Sequence, residues 1–167
     1  MPLVINKLGA HRNVEAVTAL TNYMTKSDFF GGYNSRGVIG NTAESIIEGF
    51  EFTKRMYEKE DRKQICHMII GTKREGICLG EMWEIAETAV DYFYRMGFQC
   101  FYAIHKGSSS DPDYLHVHLA VNTVNFVSGN RLYENYGCVS AVRNVLQQQF
   151  NKYNWRSIND SGTYWEE

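Results

Sequence analysis

Proline is nearly missing from this 167-residue chain, which has only Pro2 and Pro112. Neither marks a linker, and no internal repeat or low-complexity stretch divides the sequence. One domain over 1–167 is therefore expected, and a chain of this length buries roughly 70% of its unfolded surface. Cysteine is scarce as well. Cys66, Cys78, Cys100 and Cys138 lie far apart and form no CxxC pair, which excludes a disulfide scaffold. They read as reduced thiols packed like small hydrophobes in a cytoplasmic protein. No apolar run nears the length of a membrane-spanning helix. The stretch from Met1 to Lys7 lacks the charged start, apolar core and cleavage site of a signal peptide. No GxxxxGK[ST] phosphate loop occurs. Positive charge is not in excess either. Seventeen Lys and Arg face nineteen Asp and Glu, for a net charge of -2. That excludes a strongly basic protein that coats nucleic acid, while a local basic groove can still sit on a neutral domain.

What is present is an ordinary globular composition, 44% apolar and 22% charged. Leu3 to Leu8 reads as a short strand. Asn13 reads as the cap of a helix carrying Val14, Val17, Leu20, Thr21 and Met24 at helical spacing. The glycine-rich stretch Phe29 to Gly40 predicts a loop, with a short strand at Val38-Ile39. Thr42 caps a second helix over 43–59, with Ile46, Ile47, Phe50, Thr53 and Met56 inward. Glu48, Glu51, Lys54, Arg55, Glu58 and Lys59 face outward. A strand over Gln64 to Thr72, a turn at Lys73 to Gly76 and a helix over Gly80 to Met96 follow, the helix stopped by Gly97. Phe98 to His105 and Tyr114 to Phe126 are the clearest strands, and the polar segment Lys106 to Asp113 joins them as a loop. A turn at Ser128-Gly129-Asn130, a helix over Val139 to Tyr153 and an irregular tail over 156–167 complete the chain. With no regular βαβ period, an α+β fold with an antiparallel sheet and flanking helices follows.

The histidines carry the chemistry. His116, His118, Ala120 and Asn122 share one face of their strand, and Leu115, Val117, Leu119 and Val121 share the other. His105 ends the preceding strand, so a hairpin sets it near His116 on the same face. Three neutral imidazoles on one sheet face can hold a divalent metal with positions left open for substrate. Zn, Mn, Ni and Co suit imidazole, and Mg suits the site if phosphate adds oxygens. His67 lies on a strand of undetermined register, and His11 reads as a turn residue.

The segment His116-Val117-His118-Leu119-Ala120-Val121-Asn122-Thr123-Val124-Asn125, then Ser128-Gly129-Asn130, resembles the HxHxxxN signature of relaxase/mobilisation nucleases (MobA-type) of the HUH endonuclease class. His105 matches that family's third ligand. Ala19 to Lys26 is similar to its first motif, which implies Tyr23 as the nucleophile on the first helix. Cys66 to Glu75 is similar to its HxxxSF...E segment, with Gly71-Thr72 in place of the usual Ser-Phe. The resemblance covers roughly residues 3–150.

It implies an HUH, ferredoxin-like relaxase palm that nicks and rejoins one DNA strand at an origin of transfer. The cut passes through a tyrosyl 5′-phosphate, in the conjugative mobilisation of a plasmid or integrative element. It implies a divalent cofactor (Mn, Mg or Zn) on His105, His116 and His118, with Glu75 orienting a ligand imidazole. The implied partners are single-stranded DNA and the accessory proteins of a relaxosome. Lys26, Arg36, Lys73, Arg74, Lys106 and Asn122 are the candidate DNA contacts, joined by Lys7 and Arg12. Phe29, Phe30 and Tyr33 are candidate base-stacking residues. Two other readings stay open. A rolling-circle replication initiator or transposase-like HUH nuclease would use Tyr153, on the helix after the histidines. A non-catalytic metal- or nucleic-acid-binding α+β module would keep the histidines without cleavage.

Overall fold

Alternating side chains leave a strand on opposite faces, and in the centre of this sheet both faces meet apolar partners. The computed structural model describes residues 2–7, 11–28, 30–71, 76–132 and 136–159. In chain order it contains β1 (Leu3–Lys7), α1 (Ala16–Thr25), β2 (Phe30–Arg36), α2 (Ala43–Met56), β3 (Ile65–Gly71), α3 (Leu79–Arg95), β4 (Cys100–His105), β5 (His116–Asn122), α4 (Tyr136–Gln149) and β6 (Arg156–Asn159). The strands form one sheet in the order β2-β4-β5-β3-β1-β6. Neighbours are antiparallel except β1 and β6, which run parallel. This is the expected α+β fold, consistent with a relaxase palm.

Two cores sandwich the sheet. Met68, Ile70, Tyr102, Ile104, Val117 and Leu119 pack against Met82, Ile85 and Phe93 of α3 and Val142 and Leu146 of α4. On the other face, Ile65, Phe101, Ala103 and Ala120 meet Val17, Leu20 and Met24 of α1 and Ile46 and Phe50 of α2. Burying each large apolar side chain contributes roughly 1.5–3 kcal/mol, so three such residues are enough to seat α1 firmly. No described helix is long and apolar enough to cross a membrane.

Several expected boundaries move. Residues 30–36 of the predicted loop over 29–40 form the edge strand β2, whereas 37–40 stay irregular, with no strand at Val38 and Ile39, and Ile39 is 97% exposed. Pairing with β4 supplies what the poor strand propensity of Gly31, Gly32 and Asn34 does not. A bulge between Phe30 and Gly32 uses the positive φ of Gly32. The N-cap of α1 is Glu15, because Asn13 opens a preceding turn in which its carbonyl accepts from Ala16 N–H. Thr42 caps α2 as expected, in a reciprocal box with Ser45. The outward assignment of Lys54 is overturned, since it is 1% exposed, whereas Met56 is 53% exposed. The strands around the hairpin loop are shorter than predicted, and α4 starts and ends earlier. Residues 156–159 of the predicted irregular tail form β6, because β1 offers them an open edge. The predicted turn at Lys73 to Gly76 lies outside the described residues except for Gly76.

Candidate active site

β4 and β5 pair with His105 opposite His116 and Ala103 opposite His118. The three histidines therefore gather at one end of the sheet, on the face covered by α1. They are only 2%, 5% and 2% exposed, and one ring nitrogen from each lies within 4.8 Å of the others.

Hydrogen bonds settle which nitrogens are offered. His116 Nδ1 lies 2.9 Å from the Tyr114 carbonyl, to which it donates, so its Nε2 carries the lone pair. Tyr114 also stacks on the His116 ring at 4.6 Å and 15°. His105 Nε2 donates to the Met24 carbonyl at 2.8 Å, which leaves the lone pair on Nδ1. His118 Nε2 is 3.2 Å from His116 Nε2. Two nitrogens bound to one ion at about 2.0–2.1 Å, at right-angled to tetrahedral geometry, stand roughly 2.8–3.4 Å apart. The donor set thus fits a divalent metal at His105, His116 and His118. Burial holds His105 and His116 below the ordinary imidazole range against an opposing carbonyl hydrogen bond, and His105 adds to the effect on His116. The shift favours the neutral ring, the form that binds metal.

Tyr23 stands over this cluster. The inner face of α1 carries Ala16, Val17, Leu20, Thr21 and Met24 into the core, which leaves Tyr23 on the flank, 57% exposed. Its ring meets His118 edge-on at 5.4 Å and 86°, and His105 at 6.0 Å and 68°. Tyr153 is elsewhere. It packs beside the core under α3 and α4, and its hydroxyl donates to Glu81 Oε2 at 2.7 Å.

The other candidates divide. Lys26, three residues after Tyr23, and Lys106, next to His105, are both exposed near the histidines. Arg36 is not brought to this face, since it pairs with Glu87 of α3 beneath the opposite one. Asn122 is also no surface contact. It is fully buried, accepts from Lys54 Nζ at 2.6 Å, and donates to Gln99 Oε1 and the Phe50 carbonyl. Asn125 of the same signature is structural too, since it holds the turn through Val127 and Ser128 N–H and donates to the Met96 carbonyl. Phe30 and Tyr33 belong to β2 and pack against the core under α1 and α2, so they do not form a stacking loop. Glu75, Lys73, Arg74 and Phe29 lie outside the described residues, as does the side chain of Lys7. Arg12 is exposed beside His11.

Two residues near the histidines were not given a role by the sequence. His67 sits with its Nε2 2.9 Å from His118 Nδ1. Its face follows from the apolar alternation of Cys66, Met68 and Ile70, but its neighbour depends on β3 lying beside β5, which no local pattern encodes. Gly71 faces His116, and a Cβ there would stand 2.7 Å from His116 Cβ. Comparison with known proteins adds one finding. The family model for relaxases, described as MobA/VirD2-like, nuclease domain, matches residues 23–155. No curated protein matches the chain.

Proposed function

The chain belongs to the relaxase family as a MobA/VirD2-like nuclease domain, and on that premise we propose that it cuts and rejoins one DNA strand through Tyr23. Membership makes it a DNA-nicking enzyme, an endonuclease and strand transferase that works on single-stranded DNA. The finer reading is transesterification at an origin of transfer, in the mobilisation of a plasmid or integrative element, alongside relaxosome accessory proteins.

The phenol oxygen of Tyr23 attacks the scissile phosphorus, the bond to the 3′ oxygen breaks, and the 5′ phosphate becomes a tyrosyl diester. The phenol gives up its proton, and the departing 3′ oxygen gains one. One phosphodiester replaces another, so the 3′ hydroxyl can reverse the step without an energy source. His105, His116 and His118 hold the divalent ion (Mn, Mg or Zn), which when bound supplies a Lewis acid for the phosphate oxygens. Tyr114 and Met24, through their carbonyls, fix the two outer ligand rings. The packed stripe of α1 holds Tyr23 on a rigid element and leaves the residue more than half exposed, where a strand can reach it. Lys26 and Lys106 flank that opening as phosphate contacts.

The observation that carries this reading is Tyr23 edge-on to two of the three histidines while more than half exposed. The test is a covalent adduct. Wild type, Tyr23→Phe and Tyr153→Phe are incubated with Mn²⁺ and supercoiled DNA that carries the sequence flanking the protein's own gene. Wild type and Tyr153→Phe should nick and attach, while Tyr23→Phe should do neither. An adduct that survives in Tyr23→Phe but is lost in Tyr153→Phe would hand the function to a replication-type initiator.

A further inference from the structure

β3 places His67 on the histidine face, where Ala120 is its direct partner and His118 is the next residue along that face of β5. It is 6% exposed, and its ring lies nearly coplanar with that of His118, at 5.1 Å between centroids and 23° between planes. It stands outside the three-residue ligand set, yet its Nε2 lies 2.9 Å from His118 Nδ1. Two ring nitrogens at that distance share one proton, and the tautomers decide which ring donates.

The rest of the chain of contacts narrows the choice. His116 Nε2 has no proton, because Nδ1 of that ring donates to Tyr114. His118 Nε2 faces it at 3.2 Å. Before an ion arrives, both of these contacts are satisfied when His118 Nε2–H donates to His116 and His67 Nε2–H donates to His118 Nδ1. An ion shared by the two Nε2 atoms needs both lone pairs. His118 must then carry its proton on Nδ1, and something beside Nδ1 must accept it.

We propose that His67 is the positioning residue of the metal site. As a neutral ring it accepts the His118 Nδ1 proton and so aims the His118 Nε2 lone pair at the ion. Each ring keeps one proton throughout, and on both it moves from Nε2 to Nδ1. A carboxylate in this place could accept but never donate, whereas an imidazole serves both arrangements. A hydrogen-bond partner behind a ligand histidine raises metal affinity by fixing tautomer and orientation. The inference rests on the reading of His105, His116 and His118 as ligands.

The test uses the full chain and Zn²⁺ alone. By calorimetry, His67→Phe keeps an aromatic ring but cannot accept, and should bind about 10–100-fold more weakly. His67→Gln, whose amide can both donate and accept, should stay near wild type. Long-range ¹⁵N NMR of the Zn-loaded wild type should find His118 protonated on Nδ1. Wild-type affinity in His67→Phe overturns the proposal, as does an equal loss in His67→Gln or a His118 proton on Nε2. A wild type that binds no Zn²⁺ overturns the ligand set and this proposal together, whereas a binding wild type with an unaffected His67→Phe overturns this one alone. If circular dichroism shows His67→Phe unfolded, the glutamine variant and the NMR tautomer decide.

Discussion

His105 Nε2 lies 2.8 Å from the carbonyl oxygen of Met24, the residue that follows Tyr23. The last carbonyls of a helix have no partner within it, and Met24 is in the last turn of α1. A histidine of the proposed ligand set therefore satisfies the backbone of the helix that carries the proposed nucleophile. The bond fixes the His105 tautomer with its lone pair on Nδ1 and ties the height of Tyr23 over the sheet to the histidine cluster. The carbonyl end of α1, which carries partial negative charge, also points at the place where a cation is expected.

His105→Ala should accordingly do two things that His116→Ala does not do together. Both should abolish Zn²⁺ binding. Only His105→Ala should also loosen the end of α1, by about 0.5–1.5 kcal/mol, the usual net value of one hydrogen bond. Hydrogen exchange of the amides at 22–26 reads this directly. Equal protection in the two variants would show that the bond does not hold the helix end.

Gly71→Ala should damage the site without replacing any of the proposed ligands. The added Cβ would meet His116 Cβ at 2.7 Å and the Leu115 carbonyl at 3.0 Å, and neither is the far end of a flexible side chain. The start of β5 must shift, moving His116 from its place opposite His105. We expect weaker Zn²⁺ binding and roughly 1–3 kcal/mol of lost stability, as for overpacking elsewhere. Gly80→Ala in α3, where an added Cβ meets nothing within 4 Å, is the control and should leave Zn²⁺ binding unchanged while stability holds or rises slightly, since alanine is the better helix former. Calorimetry with thermal unfolding separates the two variants.

The parts of this site that the sequence reveals are those set by local period. HxH on an alternating strand places His116 and His118 on one face, and a hairpin adds His105. The role of His67 depends on strand order, which comes from the packing of the whole sheet. Asn122 shows the opposite error. It lies on the histidine row, but that row runs from an open end into a closed core, and depth along a strand leaves no mark on residue type. Lys54 fails for a related reason. Charge usually signals an outer face, yet the long stem of this lysine lies in the core beside Phe50 and its amine reaches Asn122. Arg36 looked like a loop cation because β2 is glycine-rich, and pairing with β4 turned it to the other face.

Lys54 makes stability depend on pH. Burial lowers its pKa from 10.5 to about 8, with Glu51 opposing the shift. Below about 8 the amine is charged both folded and unfolded, and the cost of burying it is fully present. Between about 8 and 10.5 the folded state releases the proton first, the unfolded state binds more protons, and stability rises with pH. At 1.36 kcal/mol per unit the gain is roughly 3 kcal/mol. Lys54→Met keeps the stem and removes the titration, so the stability of wild type relative to Lys54→Met should climb by that order between pH 7.5 and 10.5. A flat difference in urea denaturation across that range would show that the amine is solvated.

The last prediction places the DNA. Among the sequence-chosen cations, Lys26 and Lys106 are exposed beside Tyr23 and His105, whereas Arg36 pairs with Glu87 on the far face of the sheet. For single strands each neutralised phosphate contributes about 0.7 to the slope of log affinity against log salt. Lys26→Gln with Lys106→Gln should therefore flatten that slope by about 1.4, and Arg36→Gln should leave it unchanged. With a net charge of -2 over the chain, attraction must come from such local pairs, so the total slope should be small and the loss of two contacts easy to see. Fluorescence anisotropy of a labelled single strand at several salt concentrations measures it. If Arg36→Gln flattens the slope and the lysine pair does not, the strand crosses the face of α3 and cannot reach Tyr23, and the proposed nucleophile fails with it.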